Sequence, residues 1–141
     1  MTPPGEIRHG TCVAVDGRGL LILGPSGAGK SALALRLLSL GAVLVADDRT
    51  ELLVENDRLI ARCPAPLRGL IDARGLGILH APIVEMAAIA LVVDLGQTEE
   101  QRLPPARAIT ILGCRINLVL QVQNSHFPDA LMLYLRHGRQ A

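Results

Sequence analysis

Aromatic side chains are nearly absent from this chain: Phe127 and Tyr134 stand alone, and there is no tryptophan. A surface that holds single-stranded nucleic acid by stacking needs several such rings, so that class is excluded. An excess of one charge is lacking as well. Lys plus Arg number 14 and Asp plus Glu 13, for a net charge of +1, so no overall field concentrates a polyanion and nucleic acid is not an expected partner. Cysteine is scarce. Cys12, Cys63 and Cys114 are odd in number and widely separated, which fits neither a zinc site nor a disulfide framework and leaves them as small buried apolar residues. No apolar run reaches the ~18 residues of a membrane span. Met1 to His9, with Pro3, Pro4, Glu6 and Arg8, has neither the basic start nor the apolar centre of a secretory leader. A cytoplasmic protein with no membrane association is expected.

What is present is an aliphatic chain of 141 residues, 50% of them hydrophobic, the size of one ordinary domain spanning residues 1–141. Thr11 to Val15 and Gly19 to Leu23 are β-prone runs joined by Asp16-Gly17-Arg18, a hairpin signal. Lys30 to Leu40 is rich in Ala and Leu without internal Gly or Pro and stops at Gly41, which predicts a helix. A buried strand, Ala42 to Val45, follows and ends at Asp47-Asp48. Glu51 to Val54 and Leu59 to Arg62 flank Glu55-Asn56-Asp57 as a second hairpin. Leu67 to His80 has no simple period. A buried strand is expected around Ile89 to Val93, then a polar loop over Gly96 to Ala106. Ile109 to Leu112 and Ile116 to Val122 read as a last pair of strands, and Pro128 to Arg136 as a short helix.

The chemistry concentrates at Gly24-Pro25-Ser26-Gly27-Ala28-Gly29-Lys30-Ser31, a Gly-x-x-x-x-Gly-Lys-Ser pattern between a predicted strand and a predicted helix. Its glycines let the chain curl so that consecutive backbone N–H groups point inward as an anion cradle. The positive end of the following helix adds to it, Lys30 can reach outer phosphates, and the Ser31 hydroxyl can ligate Mg²⁺. Asp47 and Asp48, at the end of the next predicted strand, can converge on that loop. One carboxylate can help to hold Mg²⁺ through water while its neighbour accepts a proton from an attacking hydroxyl.

With the loop, the acidic pair and the later Arg74-Gly75-Leu76-Gly77-Ile78 in hand, the chain resembles the catalytic domain of HPr kinase/phosphorylase over roughly His9 to Arg102. That resemblance implies an α/β fold: a P-loop-containing mixed β-sheet with hairpins and few helices, of the PEP carboxykinase-like kind. It implies a protein serine kinase that transfers phosphate from ATP or pyrophosphate, with Mg²⁺, to a serine of HPr, the phosphocarrier of the bacterial sugar phosphotransferase system, and that also removes the phosphate by phosphorolysis. It places the catalytic Asp at Asp48, the loop Lys at Lys30, the Mg²⁺-binding Ser at Ser31, a catalytic His at His9 and a mobile-segment Arg at Arg102. Asp72 stands where the family has a Mg²⁺-binding Glu. Pro25 and Ala32 replace an Asp and a Glu of the family pattern, and Ile111 to Asn117 contains Arg115 without a clear copy of the family's Arg-Pro-Gly-Arg-Asn segment. The form expected is the catalytic domain without the additional N-terminal domain of many members, assembled as a homo-oligomer, a hexamer in the family.

Two other readings stay open. A small-metabolite P-loop kinase would need Glu51 to Arg62 to form a helical substrate lid rather than strands. A nucleotide-binding sensor without catalysis would have Asp48 and His9 turned away from Lys30.

Overall fold

The computed structural model describes residues 5–141. In chain order the elements are β1 (Glu6–His9), β2 (Thr11–Val15), β3 (Arg18–Leu23), α1 (Lys30–Ser39), β4 (Val43–Ala46), β5 (Arg49–Glu55), β6 (Arg58–Arg62), β7 (Leu70–Ala73), β8 (Gly77–His80), β9 (Met86–Thr98), β10 (Arg107–Ile111), β11 (Cys114–Gln121) and α2 (Phe127–His137). No helix of the described residues is long and apolar enough to cross a membrane.

Local chemistry fixes the hairpins. The β2–β3 turn is Asp16-Gly17, the β5–β6 turn Asn56-Asp57 and the β10–β11 turn Leu112-Gly113, and all six residues have positive φ. A two-residue turn with both central residues left-handed matches the twist of the strands it joins. Leu112, at φ 50, is an unusual residue for that conformation.

These hairpins are gathered by β9. It runs parallel to β3 on one side. Its other side is shared, by antiparallel β6 against Met86 to Ala88 and by parallel β11 against Leu91 to Asp94. The main sheet then continues from β3 through β2 to β4, and from β6 through β5 to β1. One face carries both helices over Val13, Val15, Leu20, Ile22, Leu91 and Val93, which meet Leu33 and Leu37 of α1 and Phe127, Leu131 and Leu135 of α2. The opposite face buries Cys12, Ala14, Leu21, Val45, Leu59, Ala61, Ile89, Val92 and Ile116. Because β2 is covered on both sides, all five of its residues are buried, including Thr11, and its sequence reads as a continuous run rather than an alternation.

Four features differ from the sequence reading. Residues Glu6–His9 form an edge strand on β5, with alternate residues exposed; its charged composition suits an edge and hides a strand. The unpatterned stretch before His80 contains the β7–β8 hairpin, closed by Arg74-Gly75-Leu76 with Gly75 at φ 90. Strand β9 continues through Gly96 to Thr98, where a loop was expected, because Thr98 pairs with Gln121. Arg18, expected in a turn, opens β3 and donates to the carbonyls of Leu135 and Arg136 at 2.7 and 2.8 Å.

Candidate active site

The glycine-rich loop leaves the end of β3 and winds into α1. Gly24, Gly27 and Gly29 have φ of 153, 83 and 97, conformations that only glycine adopts at little cost. The loop closes on itself through Ala28 N–H to the Pro25 carbonyl at 3.0 Å, and it rests on the end of β9: a Cβ on Gly24 would meet those of Ala28 and Leu95 at 3.2 Å. By contrast, a Cβ on Gly27 or Gly29 would meet nothing within 4 Å. Their left-handed backbone borders open space, as an anion cradle requires.

Helix α1 begins at this cradle with Gly29 as N-cap, no side-chain cap and no acidic residue in its first turn. Its first N–H groups and the positive end of its dipole are thus left to an external anion. The Lys30 ammonium donates to the carbonyls of Gly24 at 2.8 Å and Pro25 at 3.1 Å. Of its three donors, one remains.

Beside the loop, the acidic pair is held in an unusual turn. Arg49 N–H donates to the Asp47 carbonyl at 2.7 Å, across Asp48 at φ 66. A three-residue turn with a positive central φ is rare, and holding a non-glycine residue there costs on the order of 1–3 kcal/mol unless its surroundings enforce it. Asp47 uses both carboxylate oxygens: Oδ1 accepts from Ser31 Oγ at 2.7 Å and Thr11 Oγ1 at 3.0 Å, and Oδ2 accepts from Asp72 N–H at 3.0 Å, which leaves one lone-pair position on Oδ2. Asp48 is exposed and lines the cleft.

The result is a cleft of about 580 Å³ lined by Ser26, Gly27, Gly29, Lys30, Ser31, Ala32, Leu35, Asp48, Asp72 and Arg74. Sequence reasoning singled out most of these. Lys30, Ser31, Asp48 and Asp72 meet there, with Asp47 directly behind Ser31. His9 and Arg102 are not among the lining residues. His9 is exposed at the end of β1 opposite Arg49, one position before Gly10, whose N–H donates to the Asp48 carbonyl at 3.0 Å. Arg102 is exposed in the segment joining β9 to β10. Arg74 is a lining residue given no role from sequence; its place beside Gly75 and Gly77, at a hairpin tip, was the available signal.

The donor set suits Mg²⁺ and phosphate. Ser31, Asp47 and Asp72 offer oxygen ligands only, and Lys30, Arg74 and the start of α1 offer positive charge. No cluster of three or more His, Cys, Asp or Glu side chains forms a metal cage among the described residues. Mg²⁺ carried on phosphates needs only one or two protein oxygens.

The sequence model of the HPr Serine kinase C-terminal domain matches residues 3–119. The chain belongs to this family. It is 39% identical over 134 residues to an HPr kinase/phosphorylase of Caldicellulosiruptor bescii, covering 85% of this chain and 43% of that protein. To the HPr kinase/phosphorylase of Aromatoleum aromaticum it is 46% identical over 112 residues, 70% of this chain and 36% of the relative. The chain therefore spans about two fifths of the length of these relatives. Among solved structures, the HPr(Ser) kinase/phosphatase from Coxiella burnetii superimposes with a TM-score of 0.78 at 28% identity, covering 93% of this chain and 94% of that one. The mixed sheet with hairpins and two helices is thus the fold of this catalytic domain, and the family match extends beyond both ends of His9 to Arg102.

Proposed function

We propose that this chain is a Mg²⁺-dependent protein serine kinase that transfers phosphate from ATP or pyrophosphate to a serine of HPr or an HPr-like phosphocarrier, with phosphorolysis of the phosphoserine as its reverse activity. The observation that carries the reading is the meeting of Lys30, Ser31, Asp48, Asp72 and Arg74 in one cleft at the start of α1.

In this reading the loop N–H groups, Lys30 and α1 hold the donor phosphates, and Ser31, Asp47 and Asp72 hold Mg²⁺. The bound metal neutralises charge on the phosphate oxygens. Asp48, unprotonated, takes the proton of the serine hydroxyl as the Oγ–P bond forms and the donor's terminal P–O bond breaks, releasing ADP from ATP or orthophosphate from pyrophosphate. In phosphorolysis inorganic phosphate attacks the phosphoserine, the Oγ–P bond breaks, pyrophosphate leaves, and protonated Asp48 returns the proton to the serine oxygen. Arg74 faces the same space and balances charge on the transferring group. By resemblance to the family, His9 is a catalytic His and Arg102, in the segment joining β9 to β10, stabilises charge on the transferring phosphoryl group; both are exposed and neither lines the cleft. A cytoplasmic location and a homo-oligomer, a hexamer as in the family, belong to the same proposal.

The form of residues 49–62 favours a protein acceptor over a small metabolite. They make the β5–β6 hairpin, not a helical lid, and none of them lines the cleft, so this segment does not enclose a small acceptor. The test incubates the purified chain with HPr, Mg²⁺ and either ATP or pyrophosphate, and reads the intact mass of HPr. An increase of one phosphate, lost in Lys30→Ala and in Asp48→Asn, is expected. No increase with either donor refutes the kinase reading. Nucleotide binding without transfer would instead support the sensor.

A further inference from the structure

Only two polar side chains are fully buried among the described residues, Thr11 and Thr50, both at 0% exposure. Both serve the same turn. Thr11 Oγ1 donates to Asp47 Oδ1 at 3.0 Å and accepts from Asp48 N–H at 3.3 Å. Thr50 Oγ1 donates to the Gly10 carbonyl at 2.9 Å, and Gly10 N–H in turn donates to the Asp48 carbonyl at 3.0 Å. Asp48 is therefore held at its N–H by one buried threonine and at its carbonyl by a residue that the other buried threonine fixes.

We infer that Thr11 is a positioning residue for phosphoryl transfer and that Thr50 seconds it, together holding Asp48 in its left-handed conformation with the carboxylate toward the cleft. The inference rests on the kinase reading for its catalytic consequence, but not for its geometry. A hydroxyl has one proton and two lone pairs, so Thr11 can face an acceptor carboxylate and a donor amide at once. Valine has the same shape and can do neither. The turn at Asp48 is the kind of strained backbone that persists only where its surroundings over-determine it, and a buried polar side chain is retained only where its hydrogen bonds are made. The same contacts make Asp47 the hinge between Ser31 and the acidic turn, since its Oδ1 takes both hydroxyls.

The test compares wild type, Thr11→Val, Thr11→Ser and Thr50→Val as full chains. Thr11→Val is expected to lower kcat for HPr phosphorylation about tenfold to a hundredfold, the scale of a small misplacement of a reacting group. Its KM for HPr and its calorimetric affinity for ATP without Mg²⁺ should stay within about threefold, because the loop donors are untouched. Thr11→Ser, which keeps the hydroxyl, should recover most of the rate, and Thr50→Val should show a smaller loss of kcat. Independently, the HN–Hα coupling of Asp48 reports its φ. It should leave the left-handed value in Thr11→Val and keep it in Thr11→Ser. Unchanged kcat in Thr11→Val, or equal loss in the Ser and Val variants, overturns the inference. Should Thr11→Val not fold, Thr11→Ser and Thr50→Val decide by the same readouts. If the wild type transfers no phosphate to HPr, the kinase reading fails, and the Asp48 coupling still decides the brace: an unchanged value in Thr11→Val overturns it.

Discussion

Gly10→Ala offers a direct test of how tightly the acidic turn is packed. The Cβ introduced would lie 2.9 Å from the Ile22 carbonyl oxygen and 2.9 Å from Leu23 Cδ2. Leu23 can rotate away. The carbonyl cannot, because Ile22 is fixed in β3 between β2 and β9. The backbone at Gly10, the link between β1 and β2, must therefore shift, and with it the bonds that Gly10 makes to Asp48 and Thr50. Overpacking of this kind costs about 1–3 kcal/mol. Because Gly10 has no positive φ, the lower chain entropy of alanine in the unfolded state offsets about 0.4–1 kcal/mol of it. A net loss of about 1–2 kcal/mol lowers the midpoint by roughly 3–6 °C in a domain of this size. Scanning calorimetry measures it, and Gly17→Ala is the control. Gly17 has φ 78 and open space around the added carbon, so it carries backbone strain of about 1 kcal/mol without a clash. The distinguishing outcome is activity: Gly10→Ala should lose phosphoryl transfer to HPr, while Gly17→Ala, at a distant turn, should retain it. A Gly10→Ala protein that melts within about 1 °C of wild type and transfers phosphate normally would show that the turn is not packed as described.

Other outcomes follow from the same geometry. Lys30→Ala should lose calorimetric binding of Mg²⁺-ATP, whereas Asp48→Asn should bind it and transfer about 10²–10⁴-fold more slowly; equal binding loss in both would contradict the separate roles. Burial pushes the thiols of Cys12 and Cys63 up, and Cys114 is only partly buried, so iodoacetamide at pH 8 should label Cys114 in the folded protein and all three only in denaturant, read by mass. Hydrogen bonding from Arg62 holds the Glu51 carboxyl below its ordinary 4.5, and Arg107 does the same for Glu99. Each lowered carboxyl contributes stability that is present above about pH 4.5 and fades as pH falls through its folded value. The gap in melting temperature between wild type and Arg62→Ala, small for a surface pair at no more than about 1 kcal/mol, should close below that pH. A gap that widened in acid would reverse the assignment.

The parts of this molecule that could be read from its sequence are those encoded by neighbours in the chain. The phosphate loop depends on glycines at fixed spacing, and Asp16-Gly17 and Asn56-Asp57 announce their hairpins because left-handed turns need those residues. Helix α1 carries its own stop at Gly41. Strand β1 was hidden because Glu6, Arg8 and His9 suit solvent, and its pairing partner lies some forty residues away in β5. The β7–β8 hairpin was hidden because β8 is exposed throughout and so has no alternation to detect. Within the site, Lys30, Ser31 and Asp48 carry their chemistry on their faces. Thr11 does not: in Thr11-Cys12-Val13-Ala14-Val15 it reads as a β-prone strand residue, and only its contact with Asp47, 36 positions on, reveals another use. Asp72 is brought to the cleft by one backbone bond to Asp47, which no local pattern records.

Strand β9 has a consequence for the order in which the molecule can assemble. The hairpins β2–β3, β5–β6, β7–β8 and β10–β11 close between sequence neighbours and need little loop entropy to form. None of them builds the phosphate site alone, because Gly24 leans on Leu95 and β3 pairs with β9 across some seventy residues. On a ribosome, the loop and its lysine emerge long before residues 86–98 arrive to back them. The backing of the loop therefore comes late, with β9, and a nascent chain halted before Met86 should present the complete motif without the support that Leu95 gives it.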